Sequence, residues 1–218
     1  MSAGIWPQAD AALIEAAGVQ RAPRILPPGS ALHHIHESCF DPASFNPGLG
    51  QGRFHPFTDA HGRSVPVYYA AQTEIGSYCE TLLRALDSNL SACRVLSARR
   101  AARYSYALLH NRRELRLADL SGSMLLRLGL TRGALLEPGP PHYAHTQHWA
   151  QAIHAACPQL HGLSWISRQH DASLCLMLFG DRVHSADLQL QERHDLATLS
   201  GQQRLHAVAA SLCVVVSH

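Results

Sequence analysis

Between Gly52 and Leu86 the chain reads GRFHPFTDAHGRSVPVYYAAQTEIGSYCETLLRAL, and this run leaves little freedom in how it folds. Asp59-Ala60-His61-Gly62 has the composition of a turn. Val65 to Ala70 has the β-branched and aromatic content of a buried strand. Thr73 is placed to cap a helix, with Glu74 in the first turn, where the helix dipole favours a carboxylate. Helical spacing then puts Ile75, Cys79, Leu82, Leu83 and Leu86 on one face, which predicts a helix to about Leu86. Glu80 falls about 100° round from Cys79, at the border of that face. From there a carboxylate can point along a packed seam into a cleft.

On either side the elements are mixed. Residues 9–18 read as a short helix stopped by Gly18, followed by a Pro-rich connection from Arg21 to Ser30. Ala31 to Ile35 reads as a strand and Asp41 to Gly52 as a loop that delivers Arg53. Arg103 to Leu109 and Glu114 to Leu117 read as strands, Ser121 to Leu128 as a helix ending at Gly129, and Thr146 to Cys157 as a second long helix. Three prolines break the segment from Leu135 to Tyr143. Leu163 to Ser167 and Ser173 to Phe179 read as strands, 192–200 as an exposed loop, and Ala207 to Val216 as a final apolar strand. There is no regular alternation of strand and helix, so an α+β fold is expected over a doubly wound sheet. No GxGxxG follows a strand, which argues against a nucleotide site of the Rossmann type.

Composition narrows the function classes. A formal charge of +2 over 218 residues is too balanced for a nucleic-acid or anionic-membrane partner. No segment has the roughly 20 apolar residues of a membrane span. The first residues lack a basic region followed by an apolar run, so no signal peptide is expected. The six cysteines are scattered singly with no CxxC pair, which suits a reduced, cytoplasmic protein. Sixteen histidines raise the question of metal, but no HExxH or structural-zinc spacing is present. The His142, His145, His148 row reads as a solvated face, and no metal is expected.

Three residues of the opening run share a chemistry. An arginine in a glycine-containing loop can present its fork to phosphate. A tyrosine at a strand end offers a face for a cationic ring. A glutamate beside them can stabilise positive charge on a sugar carbon. Arg53, Tyr69 and Glu80 together suit a nucleotide with a pyrophosphate and a cationic ring. From spacing alone the same three read more simply as a surface, a core and a solvated residue. Ser167 follows Trp165 at strand period, so both lie on one face, but no GxSxG surrounds it.

In order and spacing these pieces resemble the RES domain, the toxin half of Res–Xre toxin–antitoxin pairs. Gly52-Arg53-Phe54, Val67-Tyr68-Tyr69-Ala70-Ala71, Glu80-Thr81-Leu82 and Ile166-Ser167-Arg168 carry the resemblance, which runs from about Leu32 to Phe179. Residues 1–30 then form an N-terminal extension and 31–218 the RES domain. The resemblance implies a single-domain fold like that of ADP-ribosyltransferases, a mixed β-sheet with flanking helices. It also implies an enzyme that cleaves the nicotinamide–ribose bond of NAD, as glycohydrolase or phosphorylase, and is neutralised by an Xre-type helix-turn-helix antitoxin. It assigns Glu80, Arg53, Tyr69 and Ser167 to catalysis. Arg53, Tyr69, Ser167 and His34 are assigned to the NAD contacts, with Arg53 near the phosphates and Ser167 on the nicotinamide or its ribose. His34 stands where the family commonly has an arginine, in Leu32-His33-His34. A mono-ADP-ribosyltransferase acting on a protein, or a non-catalytic module that binds a nucleotide or partner, are the alternatives. An oligomer of this chain is compatible with all of these.

Overall fold

The structure is a computed structural model that describes residues 8–84, 86 and 94–217; Cys93 lies outside them. In chain order the elements are α1 (Ala11–Ala17), β1 (Arg24–Leu26), β2 (Ala31–Glu37), β3 (Val67–Ala71), α2 (Glu74–Thr81), β4 (Arg94–Ser97), α3 (Ala98–Ala101), β5 (Tyr104–Asn111) and β6 (Leu115–Asp119). Then follow α4 (Gly122–Arg127), α5 (Arg132–Leu135), α6 (Tyr143–Ala156), β7 (Gly162–Ile166), β8 (Leu174–Phe179), β9 (Leu188–Asp195), α7 (Leu199–Ser211) and β10 (Val214–Ser217). Eight strands form one sheet in the order β1-β6-β7-β8-β3-β2-β5-β9, and β10 pairs with β4 beside it. Among the described residues, only the β6–β7 pairing within the large sheet is parallel. The fold is therefore α+β, with a mixed sheet and flanking helices. Among the described residues no helix is long and apolar enough to cross a membrane.

One seam in that sheet matters most. β2 is paired with β5 from Ala31 to Glu37, and β3 with β8 along its whole length. Between β2 and β3, however, a single residue pair joins them, His33 with Ala71. Beyond it the strands separate. The freed edge of β3 is taken up by the preceding loop, where Asn46 and Val67 exchange both backbone hydrogen bonds at 2.8 Å.

Three apolar clusters surround the sheet. α1 and α6 cover one, with Ile14, Trp149 and Ile153 fully buried against Leu163, Met177 and Phe179. α2, α7 and β10 cover a second, which holds Tyr78, Cys79, Leu82, Leu205 and Val214. The third lines the opposite face, with Leu32, Tyr68, Leu109, Leu117 and Leu178.

Several elements differ from the sequence reading. α2 ends at Thr81 and not near Leu86, because the N–H groups of both Leu82 and Leu83 bond to the carbonyl of Tyr78 and close the helix. Leu82 and Leu83 still bury as the helical face required. Residues 192–195 belong to β9, an edge strand whose polar composition mimics a loop. The expected strand from Ala207 is helix as far as Ser211: Leu205, Val208 and Ala209 bury at helical spacing, and Thr198 caps the helix from Gly201. An unbroken apolar run does not by itself distinguish helix from strand. β5 and β6 follow each other in sequence but do not pair. The Pro-rich connection contains β1, which pairs with β6 from Arg24 to Leu26.

Residues before 31 thus share the body's core. Ile14→Ala leaves a hole beneath α1 and is expected to cost about 2–5 kcal/mol. Urea unfolding measures it, and a loss below about 0.5 kcal/mol would show that α1 is dispensable to the core.

Candidate active site

Where β2 and β3 part, a cavity of about 470 Å³ opens, lined by residues 33–37 of β2 and 67–70 of β3. That is the size range of small-molecule sites. Glu80, Arg84, His55 and Trp165 line one end of it, and Phe45, Asp41 and Glu37 line another part.

Glu80 reaches the cavity because α2 sits close on the sheet. Thr73 caps the helix from the Gly76 N–H at 3.1 Å. A Cβ on Gly76 would lie 2.7 Å from Ser173, so only glycine permits this approach. The first turn is gripped from α7: Arg204 forks onto Glu74 through Nε and Nη2, and Nη2 also donates to Glu192 at 3.0 Å. The guanidinium lies 4.2 Å above the Tyr106 ring, whose hydroxyl is 2.7 Å from His33 Nδ1 in the cavity wall.

The Glu80 carboxylate is held at both oxygens. Ser167 donates its hydroxyl to Oε1 at 2.8 Å, and Arg53 Nη1 lies 3.4 Å from Oε2. Ser167 is wholly buried just past the end of β7, and its carbonyl accepts from Arg132 at 2.6 Å. Arg53 is 3% exposed and packs beside the edge-to-face pair Phe54 and Trp165, with its charge 5.9 Å from each ring centroid. Burial pushes its guanidinium below the ordinary arginine value and Glu80 opposes the shift. Arginine is basic enough to stay charged through such a shift.

The turn that carries Arg53 is fixed from α6. Gln147 donates to the carbonyls of Gly52 (3.1 Å) and His55 (2.8 Å), and Thr146 donates to that of Arg53. A Cβ on Gly52 would lie 2.2 Å from the His55 ring, so the glycine lets that ring fold back. The ring meets the Tyr69 hydroxyl at 2.9 Å through Nδ1. Tyr69 also stands edge-on to Trp165, with centroids 6.2 Å apart. Burial raises the Tyr69 phenol far above the ordinary tyrosine value, which keeps it a neutral hydroxyl.

His34 lies across the seam. Its ring is 4.4 Å from that of Tyr68 and 5.3 Å from that of His36, and it hydrogen-bonds to the backbone of Tyr69. Burial, then the nearby His36, lowers its pKa to about 3. His55 is lowered to about 4, first by burial and then by the charge of Arg84. Both rings are therefore neutral at pH 7.

Glu80 and Tyr69 thus line one end of the cavity, Arg53 and Ser167 hold Glu80 from outside its lining, and His34 lies on its wall. Two of these residues contact Glu80 directly. Arg53 is not among the cavity-lining residues and is buried as the counter-ion of Glu80. Ser167 donates its hydroxyl to Glu80. His55 and Arg84 join the site without having been expected. Arg84 was legible in principle, four residues after Glu80 on the same helical run. His55 had no signal, since the contact with Tyr69 depends on the turn between them. Among the described residues no cluster of three or more His, Cys, Asp or Glu can hold a metal ion.

The RES domain family model matches residues 30–199, most of the chain, and the protein belongs to that family. A search of curated proteins returns no match. Among solved structures, a chain from the crystal structure of the M. tuberculosis MbcT–MbcA toxin–antitoxin complex superposes with a TM-score of 0.64 at 16% identity. The alignment covers 91% of this chain and 99% of that one. At this identity the likeness is one of fold.

The depressed His34 and His55 give a pH signature. Unfolded, each titrates near about 6.5, so below that pH the unfolded chain binds more protons than the folded one. Their contribution is complete above about pH 7 and is lost as the pH falls toward their folded values. From pH 7 to 5 the wild type should lose about 2 kcal/mol or more beyond what the His34→Asn/His55→Asn double variant loses. Urea unfolding at the two pH values measures this, and equal losses would mean that both rings titrate normally in the fold.

Proposed function

We propose that this protein is a toxin of a toxin–antitoxin pair that cleaves the nicotinamide–ribose bond of NAD. The observation that carries the reading is the Glu80 carboxylate, fixed by Ser167 and Arg53 and facing a cavity beside Tyr69 and Trp165. Nicotinamide stacks at the Tyr69 end, and its ribose lies against Glu80. The adenosine side extends toward His34, Tyr68 and Phe45. When the glycosidic bond breaks, its electron pair leaves with nicotinamide, which departs neutral. The sugar carbon becomes oxocarbenium-like, and Glu80 stabilises that charge. Because the leaving group starts out cationic, no general acid is needed, and Glu80 suffices as the carboxylate at the reacting carbon. Water captures the sugar and releases a proton, giving ADP-ribose; phosphate as acceptor would give the 1-phosphate.

Arg53 and Ser167 act on Glu80 and not on the substrate. Arg53 sets a positive charge against the far oxygen of that carboxylate. The bond from Ser167 fixes its orientation, so that stabilisation is ready before charge develops. Neutralisation by an antitoxin partner, of the Xre helix-turn-helix type, is part of the same reading. Its support is the family membership together with the toxin–antitoxin complex that contains the structural neighbour.

Purified wild-type protein is expected to release free nicotinamide from NAD, and Glu80→Gln to slow this at least about 100-fold. Ser167→Ala, which leaves Glu80 in place without its donor, should slow it less, by about tenfold. Equal rates for wild type and Glu80→Gln would remove Glu80 from the mechanism. ADP-ribose label on a protein band, in place of free product, would reassign the reaction to protein ADP-ribosylation.

A further inference from the structure

Arg84 has a place in the cavity that none of the site residues above explains. It lines the same wall as Glu80 and follows it by four residues. Its guanidinium lies 5.0 Å over the Tyr143 ring and donates to the Tyr143 hydroxyl, so α6 holds the group in position. Arg168 supports the local backbone by donating to the Arg84 carbonyl at 2.9 Å. Among the described residues no carboxylate lies within ion-pair distance of the Arg84 head.

The charges on the cavity wall make that position selective. His33, His34, His36 and His55 also line it, and burial lowers the pKa of each. Arg84 is the remaining cationic side chain on the wall among the described residues. The carboxylates there are Glu80, Glu37 and Asp41. Arg53 is committed to Glu80 from behind. An anionic ligand therefore has one favourable place for its charge, next to the carboxylate that would face a cationic ring. A guanidinium offers several donors in a planar fork, which suits phosphate oxygens. Stacking on Tyr143 fixes that fork before a ligand arrives.

We propose that Arg84 is the phosphate-binding residue of this cavity and takes the pyrophosphate of the dinucleotide. The inference rests on the NAD reading above and assigns the substrate's anionic centre to Arg84 in place of Arg53.

Two measurements test it separately from that reading. In NAD turnover, Arg84→Gln should raise KM about 10- to 100-fold with a much smaller change in kcat. Arg84→Lys, which keeps the charge and loses the fork, should recover part of the loss. In calorimetric titration with ADP, which needs no turnover, affinity should fall by a similar factor in Arg84→Gln. A folded Arg84→Gln variant with wild-type KM for NAD and wild-type ADP affinity would overturn the proposal and leave the NAD reading intact. ADP binding that depends on Arg84, in a wild type that does not consume NAD, would uphold the proposal and sink the NAD reading. Rates are also measured against inorganic phosphate. If Arg84→Gln changes only that dependence, Arg84 holds a free acceptor phosphate and the assignment to the pyrophosphate is wrong.

Discussion

The single residue pair between β2 and β3 is the constraint on which the site depends. A sheet gains stability from continuous ladders, and an unpaired edge in the middle of one is costly unless its polar groups find partners. Here His33 and Ala71 close the ladder once and then release it. Asn46 satisfies the β3 edge at Val67, and His34 engages the backbone of Tyr69 with a side chain. The opening between those two substitutes is the cavity. Ordinary ladder pairing along this seam would fill the place where a ligand can sit.

The polar end of the cavity follows from a second constraint, the cost of a carboxylate largely withdrawn from water. Glu80 is tolerable there because Ser167 and Arg53 meet its two oxygens. Each of those is itself held from outside the seam, Ser167 through Arg132 and Arg53 through Thr146 on α6. The aromatic pair Tyr69 and Trp165 completes the wall. The arrangement therefore draws on α2, β3, the turn after Gly52 and the end of β7. Rigidity in each of these, and not the identity of Glu80 alone, sets the geometry.

Much of this was legible in the chain. The Thr73 cap, the apolar face of α2 and the position of Glu80 at its border are local properties, and local properties are written in spacing. The convergence of Ser167 with Glu80 was implied only by family likeness, because residues so distant in sequence are joined by strand order. The same limit hid the burial of Arg53, whose place behind Glu80 depends on α6 packing over the Gly52 turn. The C-terminal segment was misread because its apolar run fits either a strand or a helix, and only the neighbours of Leu205 and Val208 decide. The part played by β1 was hidden by the prolines on either side of it.

The contact of Arg204 with Glu74 carries a consequence for how far the working unit extends. α7 lies almost wholly beyond residue 199, where the family match stops. Yet it grips the first turn of the helix that bears Glu80 and leads directly to Arg84. The segment outside the shared family core is thus a handle on the helix at the centre of the site. Relatives that differ in this tail can keep every cavity residue and still set that helix at a different angle.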